Sequence, residues 1–304
     1  MGWSKTFLEW TESHTAYLSV VFTWDLPAAY QRAVWLKMQG CAVKAGGPAV
    51  MLMPDYLADV AECNGELTRA LYDWNGQTVH TALYPRPLKQ HNPDATFTSR
   101  GCVRCCPFCA VPRIEGDLVE LDDWEPAPIV CDNNLLACSK KHFDRVVDRL
   151  KPIKGVDFNQ GLDARLLTDY HAGRLAELDC IVRLAFDSMD YESAFMAAYE
   201  RLIRAGFGPR DIRVYVLFGF NDTPEDALYR LKTVWNLGSF PNPMRYQPLD
   251  SLKRNSYVGP NWTHALLTRY MRYWSNLHRL HYVPFETWRE GVRGPSKLQP
   301  VLIT

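Results

Sequence analysis

The chain has 304 residues, of which 47% are hydrophobic and 22% are charged. This balance is ordinary for a globular protein that can bury one large core or two modest ones, and it argues against disorder. Lysine plus arginine and aspartate plus glutamate each total 34, so the formal net charge is zero. No overall positive field favours a long nucleic-acid duplex as partner.

The start of the chain and its cysteine content bear on location. Residues 1–16 lack the basic start, apolar run and cleavage site of a signal peptide, and no apolar stretch approaches the roughly 18 residues that span a bilayer. The nine cysteines, an odd number, fit reduced thiols better than a disulfide framework. We expect a cytoplasmic protein that does not contact a membrane.

The first 93 residues are predicted to form a small α/β unit. Residues 17–25 are typical of a strand, a helix led by Pro27 follows, and residues 41–53 are typical of a second strand. The Gly46-Gly47-Pro48 sequence either cradles a ligand or, as is more common, lets the chain reverse after a strand.

Residues 94–250 alternate short β-rich runs with amphipathic helical stretches, which favours parallel βα units. We predict an α/β fold built on an open, partial (β/α)6 barrel, with chemistry at the carboxyl ends of its strands. Residues 251–304 are predicted to form a helical extension, in which the aromatic-rich stretch 261–282 caps the barrel. The predicted strands are 95–99, 128–132, 155–159, 180–186, 212–218 and 244–249, and the predicted helices are 140–151, 193–206, 223–235 and one that begins at Thr168.

Four cysteines lie within eight residues of the stretch TSRGCVRCCPFCAVP, residues 98–112. A single zinc held by all four is the less favoured interpretation, because structural zinc sites separate their two cysteine pairs by a dozen or more residues. The alternative uses Cys102, Cys106 and Cys109 and leaves Cys105 as a bystander. Three thiolates on one loop can hold three corners of an iron–sulfur cubane and leave its fourth iron open to a ligand.

The C-x3-C-x-Phe-C pattern, placed at the end of the first strand of a run of βα units, resembles the motif of the radical S-adenosylmethionine (SAM) superfamily over roughly residues 94–250. The resemblance implies a radical SAM partial barrel and a 4Fe-4S cluster on Cys102, Cys106 and Cys109, with SAM on the open iron. It also implies a reductant such as flavodoxin or ferredoxin, and a 5′-deoxyadenosyl radical that abstracts hydrogen from a small or nucleotide-like substrate.

The resemblance further assigns residues at the ends of later strands. Asp132, Asn133 and Asn134 replace the family's Gly-Gly-Glu-like turn, and they either support the SAM amino group or only form a βα turn. Arg165 either meets a carboxylate or pairs with a surface acid. The residues expected around the ribose or carboxylate are Gln160, Arg165, Asp187 and Ser188, those around the adenine are Phe108, Phe218 and Gly219, and those near the substrate are Tyr246 and Gln247.

The N-terminal unit resembles a shortened cobalamin-binding domain, but the nearest string to the cobalamin-ligating pattern, residues 169–174, has its glycine one place early. We therefore do not expect cobalamin. Two alternatives stay open. The basic run 140–154 could contact phosphate in an enzyme that modifies a base in DNA or RNA, and a metal-binding interaction module could keep the fold without the reaction.

Overall fold

The computed structural model of the protein describes residues 6–63 and 87–288. The predicted N-terminal unit and C-terminal extension therefore lie partly outside the described residues. The strands are β1 (Leu8–Glu12), β2 (Thr15–Ser19), β3 (Ala42–Gly46), β4 (Ala95–Thr96), β5 (Ser99–Arg100), β6 (Val119–Glu120), β7 (Ile129–Val130), β8 (Val156–Phe158), β9 (Cys180–Ala185), β10 (Ile212–Phe218) and β11 (Phe240–Arg245). The α-helices are α1 (Leu26–Met38), α2 (Pro48–Leu52), α3 (Pro87–His91), α4 (Val111–Ile114), α5 (Lys140–Leu150), α6 (Asp169–Leu175), α7 (Glu192–Arg204), α8 (Pro224–Asn236), α9 (His264–Ser275) and α10 (Leu277–Leu280).

The N-terminal unit is a three-stranded sheet with its own core. Strands β1 and β2 form an antiparallel pair, and β3 adds to β2 in parallel. The prediction missed β1, and it was wrong about residues 41–53, because the chain leaves β3 and enters α2. Gly47 causes this change: its φ is +97°, and a Cβ there would lie 2.6 Å from the carbonyl O of Val20. Pro48 then starts the helix, since its fixed φ suits the first helical position.

The main sheet confirms the predicted parallel βα organisation. Its six strands run in the order β11-β10-β9-β8-β7-β4, and each neighbouring pair is parallel. Every strand therefore lies beside the one before it in the sheet, without the reversal of order seen in doubly wound folds. This order is compatible with a partial barrel.

Two predicted strands differ from the structure. The first is broken into β4, in the main sheet, and β5, which pairs with β6. The sixth strand was placed at 244–249, but β11 runs from Phe240 to Arg245. Pro241 and Pro243 made this segment unlike a strand in the sequence. Prolines are tolerated here because, among the described strands, β11 pairs with β10 alone and so forms an edge.

The helices follow the sequence signals closely. Thr168 caps α6 as predicted, and Thr223 caps α8 with Pro224 at the first helical position. The aromatic rings of α9, including Tyr270 and Trp274, are buried in the main core. Packing is therefore their role, as the sequence predicted. No helix of the described residues is long and apolar enough to cross a membrane.

The N-terminal unit lies against the carboxyl edge of the main sheet. The Thr23 hydroxyl donates to the carbonyl O of Ser251 at 2.7 Å, and the His91 ring hydrogen-bonds the Ser19 hydroxyl at 2.9 Å. The first contact joins the unit to the loop after β11, and the second joins it to α3. The unit consequently covers the end of the sheet where polar residues collect.

Candidate functional site

The four clustered cysteines lie on a loop, residues 101–118, that the short β5–β6 pair closes at its base. Inside this base, the Cys102 N–H donates to the carbonyl O of Gly116 at 3.1 Å. Gly101 makes the approach possible, because its φ is +72° and a Cβ there would overlap the carbonyl O of Asp117. The loop thus leaves the first strand in a fixed direction.

The three cysteines of the predicted motif share one environment. The Cys102 sulfur accepts hydrogen bonds from the Arg104 N–H at 3.4 Å and from the Asn134 amide at 3.5 Å. Burial raises the pKa of the Cys109 thiol, and nearby Cys106 and Cys102 raise it further. The three thiols therefore influence one another electrostatically. Cys105, in contrast, is exposed.

In residues 6–63 and 87–288, no three His, Cys, Asp or Glu side chains already converge on one metal-ion position. An iron–sulfur cubane requires a different arrangement of cysteine ligands from a single metal ion, because each thiolate binds a different iron atom. Donors to a cysteine sulfur, such as those at Cys102, are the outer contacts that tune cluster sites. The chemistry of this loop therefore fits an iron–sulfur cluster.

A cavity of about 790 Å³ lies between the N-terminal unit and the carboxyl ends of strands β7 to β11. This volume is within the range of small-molecule sites, roughly 300–1,000 Å³. Cys109 lies on its wall, whereas Cys102 and Cys106 do not line it, so the cysteine loop borders the cavity through Cys109 and its neighbours. The predicted residues that line it are Phe108, Cys109, Asn133, Gln160, Asp187, Tyr246 and Gln247.

Asp187 is the predicted acid that reaches this cavity. Its carboxylate accepts a hydrogen bond from the Leu217 N–H at 3.0 Å, which fixes its orientation at the end of β9. Burial raises the pKa of Asp187 to about 6, against the lowering effect of that hydrogen bond and of Arg230. The group therefore changes charge near neutral pH.

Asp132 is turned away from the cavity. It is only 4% exposed, and it accepts hydrogen bonds from the Thr98 N–H at 2.6 Å, the Thr98 hydroxyl and the Ser99 hydroxyl. Burial raises its pKa, although these hydrogen bonds oppose the rise. Asp132 thus connects β7 to the segment that leads into the cysteine loop. Of the two roles expected for it, formation of the βα turn fits this buried position better than contact with the SAM amino group.

Arg165 and Asn134 belong to a second network beneath the loop. Arg165 pairs with Asp163 at 2.7 Å, and Asp163 also accepts from Arg104 at 3.0 Å and from Asn134 at 3.4 Å. Although burial acts to raise the pKa of Asp163, Arg165 and Arg104 hold it below its usual value. This carboxylate therefore orders the cysteine loop from below.

The three remaining predicted residues do not line the cavity. Ser188 caps a short 3-10 helix by accepting from the Asp190 N–H at 3.2 Å. Phe218 is fully buried against Trp262 and Tyr270 on the helix side of the sheet. The prediction that it contacts the adenine was therefore wrong, because its ring does not face the cavity. Gly219 has a φ of +82°, and a Cβ there would lie 2.7 Å from Leu267. Close packing against α9 therefore explains why a glycine occupies this position.

Sequence reasoning missed an ion pair on the cavity wall. Arg100 pairs with Glu115, and the Arg100 guanidinium lies 3.7 Å above the Phe97 ring. The same carboxylate accepts from the Gly101 N–H at 2.9 Å and from the Asn133 amide at 2.5 Å. Glu115 lies near the end of the cysteine loop and not at the end of a predicted strand, where site residues were expected. Its position at the cavity therefore follows only from the fold.

The roof of the cavity was also missed. Phe22 and Trp24 stack with ring centroids 4.5 Å apart, and both line the cavity together with Ser19, Gly47 and His91. Burial lowers the pKa of His91, which favours its neutral form. The available sequence signal is the Gly46-Gly47-Pro48 turn, for which a ligand cradle is one of the two interpretations.

A polar network connects strands β8, β9 and β10 beside the cavity, which Tyr215 and Asn159 line. Arg183 pairs with Asp157 at 2.6 Å and donates to the Tyr215 hydroxyl at 3.0 Å, while that hydroxyl donates to the carbonyl O of Asn159 at 2.6 Å. These contacts link the three strands and so stiffen them.

Three further cysteines of the main domain are withdrawn from water. Burial raises the pKa of Cys131, Cys138 and Cys180 to about 12. These thiols therefore favour the protonated form at neutral pH.

Acids partly offset the charge of the basic run 140–154. Lys140 pairs with Asp144 at 2.7 Å, and Lys151 pairs with Asp148 at 3.0 Å and with Glu177 at 2.7 Å. These ion pairs reduce the positive charge that a phosphate would meet at this surface. The structure therefore adds no support to a nucleic-acid contact at this helix.

No family model matches the chain, and no curated protein matches it.

Proposed function

We propose that this protein is a radical SAM enzyme whose 4Fe-4S cluster is held by Cys102, Cys106 and Cys109. The observation that carries the proposal is the position of the cysteine loop. It follows the first strand of a six-stranded parallel sheet in chain order, and Cys109 lies on the wall of the cavity at the carboxyl ends of the other strands. In this proposal the main sheet is a partial barrel of the radical SAM type.

When bound, the cluster and SAM would supply reductive cleavage of a carbon–sulfur bond and a 5′-deoxyadenosyl radical that takes hydrogen from the substrate. The electron donor would be a reductant such as flavodoxin or ferredoxin, which fits a cytoplasmic location. The protein's own task is then to position both molecules and to keep water away from them.

The residues around the cysteine loop are suited to that task. Arg104 and Asn134 donate to the Cys102 sulfur, which stabilises a thiolate. Asp163 accepts from the same Asn134 amide and so orients it; Asp163 also accepts from the Arg104 Nε and so anchors the residue whose main-chain N–H donates to the sulfur. In this proposal Asp163 is a positioning residue that acts through Arg104 and Asn134.

Glu115 is better placed than Asp132 to meet the SAM ammonium. It lines the cavity beside Asn133, whereas Asp132 is buried in hydrogen bonds with Thr98 and Ser99. Arg100 already pairs with Glu115, so an ammonium would share this carboxyl group with the guanidinium. Asp187 and Gln160, which also line the cavity, would form hydrogen bonds with ribose hydroxyls.

The test is anaerobic reconstitution with iron and sulfide, reduction with dithionite in the presence of SAM, and chromatography for 5′-deoxyadenosine. We expect product and bound iron in the wild type and in Cys105→Ala, which removes an exposed thiol of the same loop. We expect both to be lost in Cys106→Ala. A colourless wild-type protein that retains zinc and leaves SAM intact would contradict the proposal and favour the metal-binding interaction module.

A further inference from the structure

The cavity contains two arginines in different electrostatic situations. Arg100 is paired with Glu115. Arg245, the last residue of β11, also lines the cavity, yet no carboxylate of the described residues pairs with it. A cation without a counter-ion in a ligand-sized cavity is a candidate anion-binding site, because charged groups withdrawn from water are normally paired with a group of opposite charge.

The hydrogen bonds of Arg245 leave part of its guanidinium unused. Its Nη2 donates to the carbonyl O atoms of Asn255 and Tyr257, both at 2.8 Å. Neither Nε nor Nη1 has an acceptor among the residues that the structure describes. The two carbonyls hold the side chain in place without neutralising it. Burial without a compensating acid also lowers the pKa of Arg245.

The cavity that Arg245 lines also has aromatic walls. Tyr246 follows it in the chain and lines the same cavity, and the stacked Phe22 and Trp24 line the roof. The Thr23–Ser251 hydrogen bond attaches this roof to the loop that follows β11. An oxyanion at Arg245 would therefore place the rest of its molecule against ring faces.

We propose that Arg245 binds the oxyanion of the substrate, a carboxylate or phosphate carried on a flat, apolar body. This inference rests on the proposed function, because it gives the same cavity a substrate end at Arg245 and a SAM end at Cys109. The guanidinium fork matches both oxyanions, with Nη1 available to the ligand. Tyr246 and Trp24 flank the body of the molecule.

The test is calorimetric titration of the full-length protein with phenyl phosphate, benzoate and benzamide, which is benzoate without its charge. The wild type is expected to bind the two anions at least tenfold more tightly than benzamide, since a hydrogen bond to a charged group gains about 1.5–3 kcal/mol. The anion that binds with the lower dissociation constant identifies phosphate or carboxylate as the natural group.

Arg245→Gln is expected to lose this preference, and Arg245→Lys to keep part of it. Arg210→Gln is the matched control, because Arg210 is exposed and precedes β10 at the other end of the sheet. Melting curves of all variants check that they fold. Equal binding of benzoate and benzamide, no anion binding by the wild type, or unchanged anion binding in Arg245→Gln would each overturn the proposal.

SAM also carries a carboxylate, so the phenyl phosphate titration is repeated on reconstituted protein with SAM. Unchanged affinity supports a substrate site, whereas competition between the two would assign Arg245 to SAM and overturn the substrate assignment. These titrations do not depend on turnover. A failure to form 5′-deoxyadenosine therefore contradicts the proposed function separately from the anion site.

Discussion

The ring centroids of Phe108 and Phe220 lie 5.8 Å apart in an edge-on arrangement. Phe108 belongs to the cysteine loop that follows the first strands, and Phe220 follows β10. Phe220 in turn contacts Tyr246 at 4.6 Å, and Tyr246 contacts Tyr257 at 5.1 Å. The cysteine loop and the loops after β10 and β11, which come from opposite sides of the open sheet, thus contact each other through their aromatic rings beside the cavity.

Replacing Phe220 with alanine is expected to loosen the cysteine loop. Each edge-on aromatic pair contributes about 0.5–1.5 kcal/mol beyond its buried area, so we expect unfolding free energy to fall by about 1–3 kcal/mol. Hydrogen exchange at the amides of residues 104–110 should quicken. Tyr282→Ala removes an exposed ring and should change neither quantity; equal effects of the two variants would show that the ring bridge does not order the loop.

Gly101 and Gly116 offer a matched pair of substitutions at the base of the same loop. Both have a positive φ, +72° and +74°, but a Cβ at Gly101 would overlap Asp117 whereas a Cβ at Gly116 meets nothing within 4 Å. Gly116→Ala should therefore show only the backbone cost, about 1–2 kcal/mol. Gly101→Ala should lose more stability in denaturant unfolding, and more bound iron after reconstitution. Equal losses would mean that backbone conformation alone requires these glycines.

Asp187 predicts a specific dependence of stability on pH. Because its folded pKa, about 6, is above that of an unfolded aspartate, the folded state binds its proton more tightly, and the stability that the protonated acid provides is lost as pH rises from about 4 through 6. Asp187→Asn keeps an acceptor for the Leu217 N–H but cannot ionise. We expect this variant to gain about 1–3 kcal/mol over the wild type at pH 8 and nothing at pH 4.

Urea unfolding at the two pH values measures this difference. Asp250→Asn, which changes an exposed aspartate, is the control and should follow the wild type at both. An Asp187→Asn variant that is less stable than the wild type at pH 8 would show that the ionised carboxylate stabilises the fold.

Local patterns determined much of the fold. Helix starts at Thr168 and Thr223 followed from capping residues, and the parallel sheet followed from alternating β and α stretches. The first strand and the sixth were misplaced because their boundaries depend on pairing. Pro241 and Pro243 are acceptable in a strand only because it is an edge, which is a property of the whole sheet.

The candidate site divides in the same way. The sequence by itself determined the cysteine spacing and the strand ends where polar residues gather. It could not decide which side of β10 faces the helices, since Tyr215, Val216, Leu217 and Phe218 are all apolar or aromatic and the side-chain period of a strand is two. Only tertiary packing buried Phe218 and turned Leu217 toward the cavity. Tertiary structure likewise brought Glu115, Trp24 and Arg245 together, because residues so far apart in the chain meet only when the sheet curls beneath the N-terminal unit.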